Sequence, residues 1–200
     1  KVFYNRCVGM LYPPFQGFTP QAINFLKRLK RNNRRDWFKP RKEEYEQVVK
    51  APMQSLIADL EYLGRRQFPQ IHFDPRKGIY RIYRDTRFHD KVPYKTNIAA
   101  RFYLSANAGV KEEMPGFYLH IEPGEAFIAG GLYMPSSAQL QKIRARIVSD
   151  PDSFFKIMKN PKFRRRFPGG LEGDSLKKAP RGFAPDHPLI EVLRHKQFYL

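Results

Sequence analysis

Phe117-Tyr118-Leu119-His120-Ile121-Glu122-Pro123-Gly124-Glu125-Ala126-Phe127-Ile128-Ala129-Gly130-Gly131-Leu132-Tyr133-Met134 decides the fold class. Phe117–Glu122 and Ala126–Met134 carry the composition and alternation of strands. Pro123-Gly124 between them fits a tight turn, so the two runs read as antiparallel neighbours. Ile79–Arg84 and Asn97–Ser105, upstream, read the same way. The expectation is a central, mainly antiparallel sheet of about four or more strands.

On both sides of this region the period is helical. Thr19-Pro20 supplies a capping hydroxyl and a proline at the first helical position. Ala22, Phe25, Leu26 and Leu29 then form one apolar stripe, and Asn32-Asn33 ends the helix. A second helical region runs from Arg41 to Leu63. Pro52 interrupts it, which predicts a kink or two abutting helices, and Gly64 reads as a stop. After the strands, Ser136 or Ser137 caps a helix through Val148. Asp152–Met158 follows, then a loop at Pro168-Gly169-Gly170, and Asp186–His195 reads as a last short helix. Helices, then strands, then helices indicate an α+β fold. The chain reads as a single domain over residues 1–200, with residues 1–14 as an N-terminal extension and 15–200 as the body. No internal repeat is visible, nor a Gly-rich phosphate loop.

Of the 200 residues, 42% are hydrophobic and 14% aromatic, which argues against disorder. Thirty-seven Lys and Arg stand against 19 Asp and Glu, a net charge of +18. Such a charge attracts nucleic acid, acidic lipid or phosphorylated small molecules, and it also serves solubility. Cys7 is the single cysteine, so an intrachain disulfide and a cysteine-based zinc site are both excluded. A cytoplasmic location is the default expectation. The apolar piece Cys7–Tyr12 is too short for a signal-peptide core or a membrane span. The chain begins with Lys rather than Met, and the expectation is a piece of a longer chain.

The basic residues gather in three places. The first is Lys27, Arg28, Lys30, Arg31, Arg34, Arg35, Lys39, Arg41 and Lys42, with Trp37 and Phe38 inside it. Cations with interleaved aromatics suit a polyanion whose bases stack; a solvated helix end with Trp37 anchored in the core fits the same residues. The second is Arg76, Lys77, Arg81, Arg84, Arg87, Lys91, Lys95 and Arg101, surrounding Asp85 and Asp90. Guanidinium forks recognise carboxylate or phosphate bidentately. Arg81, Arg84, Arg87, Lys91 and Lys95 are therefore the candidate ligand-binding residues. The alternative is an internal network in which Asp85 and Asp90 orient the cations. The third, Lys162, Arg164, Arg165 and Arg166, reads as solvated surface.

Other chemistry finds less support. His120 and Glu122 share a strand face, but two ligands are too few for a metal, and a polar strand face accounts for them. Asp186-His187-Pro188 reads as a helix cap followed by proline. No Gly-x-Ser-x-Gly elbow exists, and Cys7 has no histidine near it in sequence. In an enzyme, Asp85 is the candidate general base, with Tyr94 as proton donor and Lys91 as electrostatic stabiliser. An aspartate among cations stays ionised, which suits orientation better than proton abstraction. No metal and no cofactor is expected.

Several of these residues form a wider pattern. Gly17-Phe18, Phe25-Leu26 with Leu29, Asn32-Asn33 and Trp37-Phe38 come first. Arg81, Arg84, Asp85, Arg87 and Phe88 follow, then Asp90, Lys91 and Tyr94 with Lys95-Thr96. Later come Tyr118 with His120, Gly130-Gly131-Leu132-Tyr133 with Pro135, and Pro180-Arg181-Gly182-Phe183 with Asp186-His187-Pro188. From Phe15 to Phe198 the chain resembles the domain-of-unknown-function 2461 family. One departure is that His89 alone separates Phe88 from Asp90, where the family pattern is longer. The resemblance implies an intracellular protein of a kind widespread in bacteria, with relatives in fungi. It also implies a further helical segment after Leu200, and it supplies no cofactor and no reaction.

Three functions fit these observations. The first is recognition of a phosphate- or carboxylate-bearing ligand, whether a small molecule or a nucleic-acid backbone. The second is an enzyme acting on such a ligand. The third is an interaction module whose Arg and Asp residues pair internally. The partners expected are thus a phosphate-bearing small molecule or nucleic acid, and no membrane; the oligomeric state is open.

Overall fold

Thr19 turns the chain into its first helix. Its Oγ1 accepts from Ala22 N at 3.4 Å, Pro20 takes the first position, and α1 runs Pro20–Arg31. The computed structural model describes residues 11–85, 92–104 and 114–200. Cys7, Ser105 and residues 86–91, among them Arg87, Asp90 and Lys91, lie outside the described residues. The expected stripe is buried, with Ala22, Phe25, Leu26 and Leu29 at 1% exposure or less. Phe25, Leu26 and Leu29 each contribute about 1.5–3 kcal/mol by leaving water. Two short helices follow, α2 (Arg35–Phe38) and α3 (Lys42–Tyr45), and then the long α4 (Ala51–Gln67).

The interruption expected at Pro52 is a π-helical segment, Glu46–Lys50, joining α3 to α4. Pro52 has no N–H, so the α-type bond to Val48 O cannot form there. Tyr45, Val49, Met53 and Ile57 are all buried at four-residue spacing. On an ideal α-helix that spacing drifts by about 40° per step; the wider π turn takes up part of the drift and keeps all four facing the core. Gly64 does not stop the helix, which continues to Gln67. It is buried in mid-helix, where a Cβ would stand 2.9 Å from Cε2 of Phe73. The missing side chain lets that ring lie against the helix and tilt onto Phe102, 5.0 Å away.

The sheet is antiparallel, as expected, and its hydrogen-bonded order is β1-β2-β3-β4-β5. The strands are β1 (Ile71–His72), β2 (Ile98–Leu104), β3 (Gly116–Glu122), β4 (Glu125–Leu132) and β5 (Phe198–Tyr199). The pair β1 and β5 escaped the sequence pattern because two residues show no period. Ile79–Arg84 is not the strand that its alternation predicts. It forms two isolated bridges, Ile79 with Ala100 and Tyr83 with Tyr94. Tyr80 N donates to Ala99 O at one end, and Lys95 N donates to Ile82 O at the other. The segment changes partners midway, at Arg81, so no single ladder runs along it.

The chain divides into two compact units, Lys1–Ser105 with Gly116–Ile128, and Ala106–Pro115 with Ala129–Leu200. In the first, α1, α4 and the segments between them pack their apolar faces on Ile98, Ala100 and Phe102 of β2. Leu119 and Ile121 of β3 join the same core. In the second, Ser136 opens α5 (Ser137–Ser149) with a capping box shared with Gln139. Asp150 caps α6 (Pro151–Met158), and Asn160 caps α7 (Pro161–Arg166). The last expected helix is shorter than its pattern: α8 covers only Ile190–Leu193. Turns precede it, because Pro188 cannot donate and His187 Nδ1 instead accepts from Leu189 N at 3.0 Å. Arg144 is 5% exposed; its Nε donates to Leu193 O at 2.7 Å and its Nη2 to His195 O at 3.1 Å.

Basic side chains form ion pairs with acids in both units. Arg28 grips both oxygens of Glu44 at 3.1 and 2.9 Å, Arg146 meets Asp150 at 2.8 Å, and Lys196 meets Asp174 at 3.3 Å. These pairs are solvent-accessible and contribute little stability each. No helix among the described residues is long and apolar enough to cross a membrane.

Candidate functional site

Antiparallel pairing decides which side chains share a face. Arg101 lies opposite Tyr118, and Ala99 opposite His120. Ile98, Ala100 and Phe102 point into the helical core, so Arg101, Tyr118 and His120 occupy the other side of β2 and β3. Tyr80 joins them, its ring 5.8 Å from that of Tyr118 in an edge contact. The Lys95 ammonium sits 5.1 Å above the Tyr80 ring, and the Arg101 guanidinium 5.4 Å from it. Arg101 also covers Tyr103 at 4.6 Å. Each cation is thus placed by a π face that attracts it electrostatically.

The cations interact with one another as well. Burial first, then the charges of Arg81 and Arg84, hold the Lys95 ammonium below its ordinary pKa. Arg84 is fixed at its Nε, which donates to Tyr94 O at 3.0 Å. The same carbonyl accepts from Asn33 Nδ2 at 2.9 Å, and Tyr94 N donates to Asn33 Oδ1 at 3.0 Å. A helix-ending asparagine thereby sets the backbone that carries Lys95.

A second polar group stands beside these cations. Tyr118 Oη lies 2.9 Å from His120 Nδ1, and Asn97 Nδ2 lies 3.3 Å from the same nitrogen. The Asn97 amide nitrogen can only donate, so Nδ1 is an acceptor and the ring proton resides on Nε2. Nε2 faces Glu122 Oε2 at 4.0 Å. Phe127 stacks on the imidazole, with centroids 4.8 Å apart and planes within 10°.

Of the residues singled out from sequence, Arg81, Arg84 and Lys95 come within electrostatic reach of one another. Arg81 is exposed, and Arg84, Asp85 and Lys95 are half-buried. Arg87 and Lys91 lie outside the described residues. Tyr94 is 2% exposed, its ring 4.2 Å from Phe38. Burial, with Tyr83 adding to it, raises the pKa of its phenol. What Tyr94 offers its surroundings is its main chain. Trp37 anchors against the core beside Phe25, with Arg41 4.8 Å over its ring. Lys162, Arg164, Arg165 and Arg166 are exposed on α7. No group of three His, Cys, Asp or Glu able to hold a metal occurs among the described residues.

Sequence reasoning passed over Asn33, Tyr80, Asn97, Tyr118 and Phe127 as site residues. The two-residue spacing of Tyr118, His120 and Glu122 was a usable signal. The Asn33 contact was not, since 61 residues separate it from Tyr94.

No curated protein and no solved structure matches the chain. Residues 21–200 match the model of the family described as "Conserved hypothetical protein (DUF2461)". The match spans nearly the whole chain and includes the Arg81–Tyr94 motif, the Asn33 that braces it and the strand that bears Tyr118 and His120: the chain belongs to the DUF2461 family.

Proposed function

We propose that the chain recognises a phosphate- or carboxylate-bearing ligand on the outer face of β2 and β3, through Arg81, Arg84, Lys95 and Arg101. One observation carries this reading: burial first, then the charges of Arg81 and Arg84, lower the pKa of the Lys95 ammonium, which sits over the Tyr80 ring together with the Arg101 guanidinium. An anion bound between them offsets that repulsion and favours the charged ammonium. Arg87 and Lys91 of the same motif belong to the proposed binding set. Asp85 serves to orient the guanidinium groups. Cytoplasmic action is part of the proposal, in keeping with a chain that has one cysteine.

The test is thermal melting of the chain with inorganic phosphate, pyrophosphate and a panel of nucleotides and sugar phosphates. Binding to the folded state raises the melting temperature with ligand concentration. At least one anion is expected to raise it, and Lys95→Met together with Arg81→Ala to abolish the rise. No shift with any anion, or an undiminished shift in the double variant, overturns the reading.

A second reading has its own observation. Tyr80, 36% exposed, meets the cations Lys95 and Arg101, and Phe127, 40% exposed, lies 5.9 Å from the Tyr118 ring. Rings flanked by cations on a sheet face stack bases, which favours a single-stranded nucleic acid as the ligand. That version requires affinity for oligonucleotides to fall steeply with salt. Anisotropy titrations without binding at low salt eliminate it.

A further inference from the structure

We propose that Tyr118, His120 and Glu122 form a proton-transfer relay, with Tyr118 the catalytic residue, acting on an anionic substrate that carries an exchangeable hydroxyl or carbon-bound proton. Two hydrogen bonds and one longer charge contact carry it. Tyr118 Oη meets His120 Nδ1 at 2.9 Å. Asn97 fixes Nδ1 as the acceptor from 3.3 Å. The opposite ring nitrogen is shut off from solvent and faces the Glu122 carboxylate at 4.0 Å. Acid or nucleophile, then base, then a carboxylate that orients the base is the arrangement that activates a hydroxyl.

The step balances with one proton. The phenol O–H passes its proton to His120 Nδ1 as the phenol oxygen takes a proton from the substrate. The substrate gains one negative charge and the imidazole one positive charge. Glu122, half-buried with Oε2 4.0 Å from Nε2, stabilises the imidazolium, as the carboxylate beside a histidine base does. The negative charge on the substrate develops near Arg101, the cross-strand neighbour of Tyr118, and near Lys95, whose ammonium sits over the Tyr80 ring. Return of the proton by the same route completes an isomerisation or exchange without a co-reactant. Phe127, stacked on the imidazole, keeps the ring in the plane that the relay needs. Asn97 and Glu122 are positioning residues.

The relay itself stands on contacts separate from the anion-binding proposal, only the anionic character of its substrate rests on that proposal, and its test does not require the natural ligand. The probe is an aryl sulfonyl fluoride, which reacts with a phenol as its proton is removed. A sulfur–oxygen bond forms, the sulfur–fluorine bond breaks, fluoride leaves, and the phenol proton goes to His120. Intact mass and peptide mapping of the full chain at neutral pH read the rate at each tyrosine. Tyr118 is expected to label at least about tenfold faster than the exposed Tyr80 and Tyr133, since a positioned base contributes that much or more. His120→Asn is expected to bring Tyr118 to the rate of those tyrosines, Glu122→Gln to slow it partly, and Tyr118→Phe to remove the fast adduct. Labelling of Tyr118 no faster than Tyr80 and Tyr133 overturns the relay. So does fast labelling that survives both His120→Asn and Glu122→Gln. Should His120→Asn unfold, as circular dichroism would report, Glu122→Gln decides alone. Fast labelling of Tyr118 with no anion shift in melting keeps the relay and removes the anion proposal; the reverse outcome does the opposite.

Discussion

Asn33 holds the main chain of Tyr94 at both ends of its residue unit, accepting from its N–H at 3.0 Å and donating to its carbonyl at 2.9 Å. The first helix region is thereby tied by its end to the segment that carries Lys95, beside the apolar contact that Phe38 makes with the Tyr94 ring. Asn33→Ala leaves a half-buried N–H without its acceptor. It is expected to cost about 1–3 kcal/mol, read as a lower midpoint in urea. Asn33→Asp keeps the acceptor and loses the donor, so it is expected to fall between the two. An alanine variant as stable as the parent would show that the clasp is not needed.

Lys95 predicts a pH dependence of known sign. Burial, then Arg81, then Arg84, hold its folded pKa below 10.5. Between that lowered value and 10.5 the unfolded chain binds more protons than the folded one, so stability from this group rises with pH. Below the lowered value the charged ammonium is a constant cost to the fold. Lys95→Met is therefore expected to raise the melting temperature of the ligand-free chain near neutral pH and to flatten its rise toward alkaline pH. A variant that melts below the parent at neutral pH contradicts this.

Gly131 sits opposite Tyr199 at φ +139°, and a Cβ there would lie 2.2 Å from Phe198 O and 2.6 Å from Tyr199 Cα. Both obstacles are backbone, so β5 has to separate from β4. Gly131→Ala is expected to cost about 3 kcal/mol or more. Amide exchange should show the loss first at Leu200, whose N–H donates to Gly130 O at 3.0 Å. Unchanged protection at Leu200 would contradict it.

Arg144 ends the short helix α8 from outside by donating to the carbonyls of Leu193 and His195. Arg144→Met leaves both acceptors without a donor in a buried place, at about 2–4 kcal/mol. Arg144→Lys has one compact head and reaches one carbonyl at a time, so roughly half the loss is expected. Chemical denaturation of the three proteins distinguishes these outcomes.

The class of fold was readable because its signals are local. Thr19-Pro20, the stripe from Ala22 to Leu29 and the turn at Pro123-Gly124 each act within a few residues, and each lies where its pattern puts it. Ile79–Arg84 misled because alternation reports which side chains are buried, not whether one partner runs alongside throughout. Gly64 misled because a glycine that ends a helix and one that admits a neighbouring ring look alike in sequence. The cation cluster was legible as a composition of one stretch. The bracing of that stretch by Asn33, and the approach of Tyr80 from a different segment, depend on tertiary contacts that no spacing encodes.

The bridge between Tyr83 and Tyr94 makes the length of the chain between them cheap to change. Arg84 N donates to Pro93 O at 2.9 Å, so the ends of residues 85–92 are joined by the fold itself. Lengthening a segment whose ends are already held costs only about 0.6 kcal/mol per doubling. A change of length between these held ends leaves the contacts of Arg84 and Tyr94 in place, and so alters what the cations meet without rebuilding the scaffold beneath them.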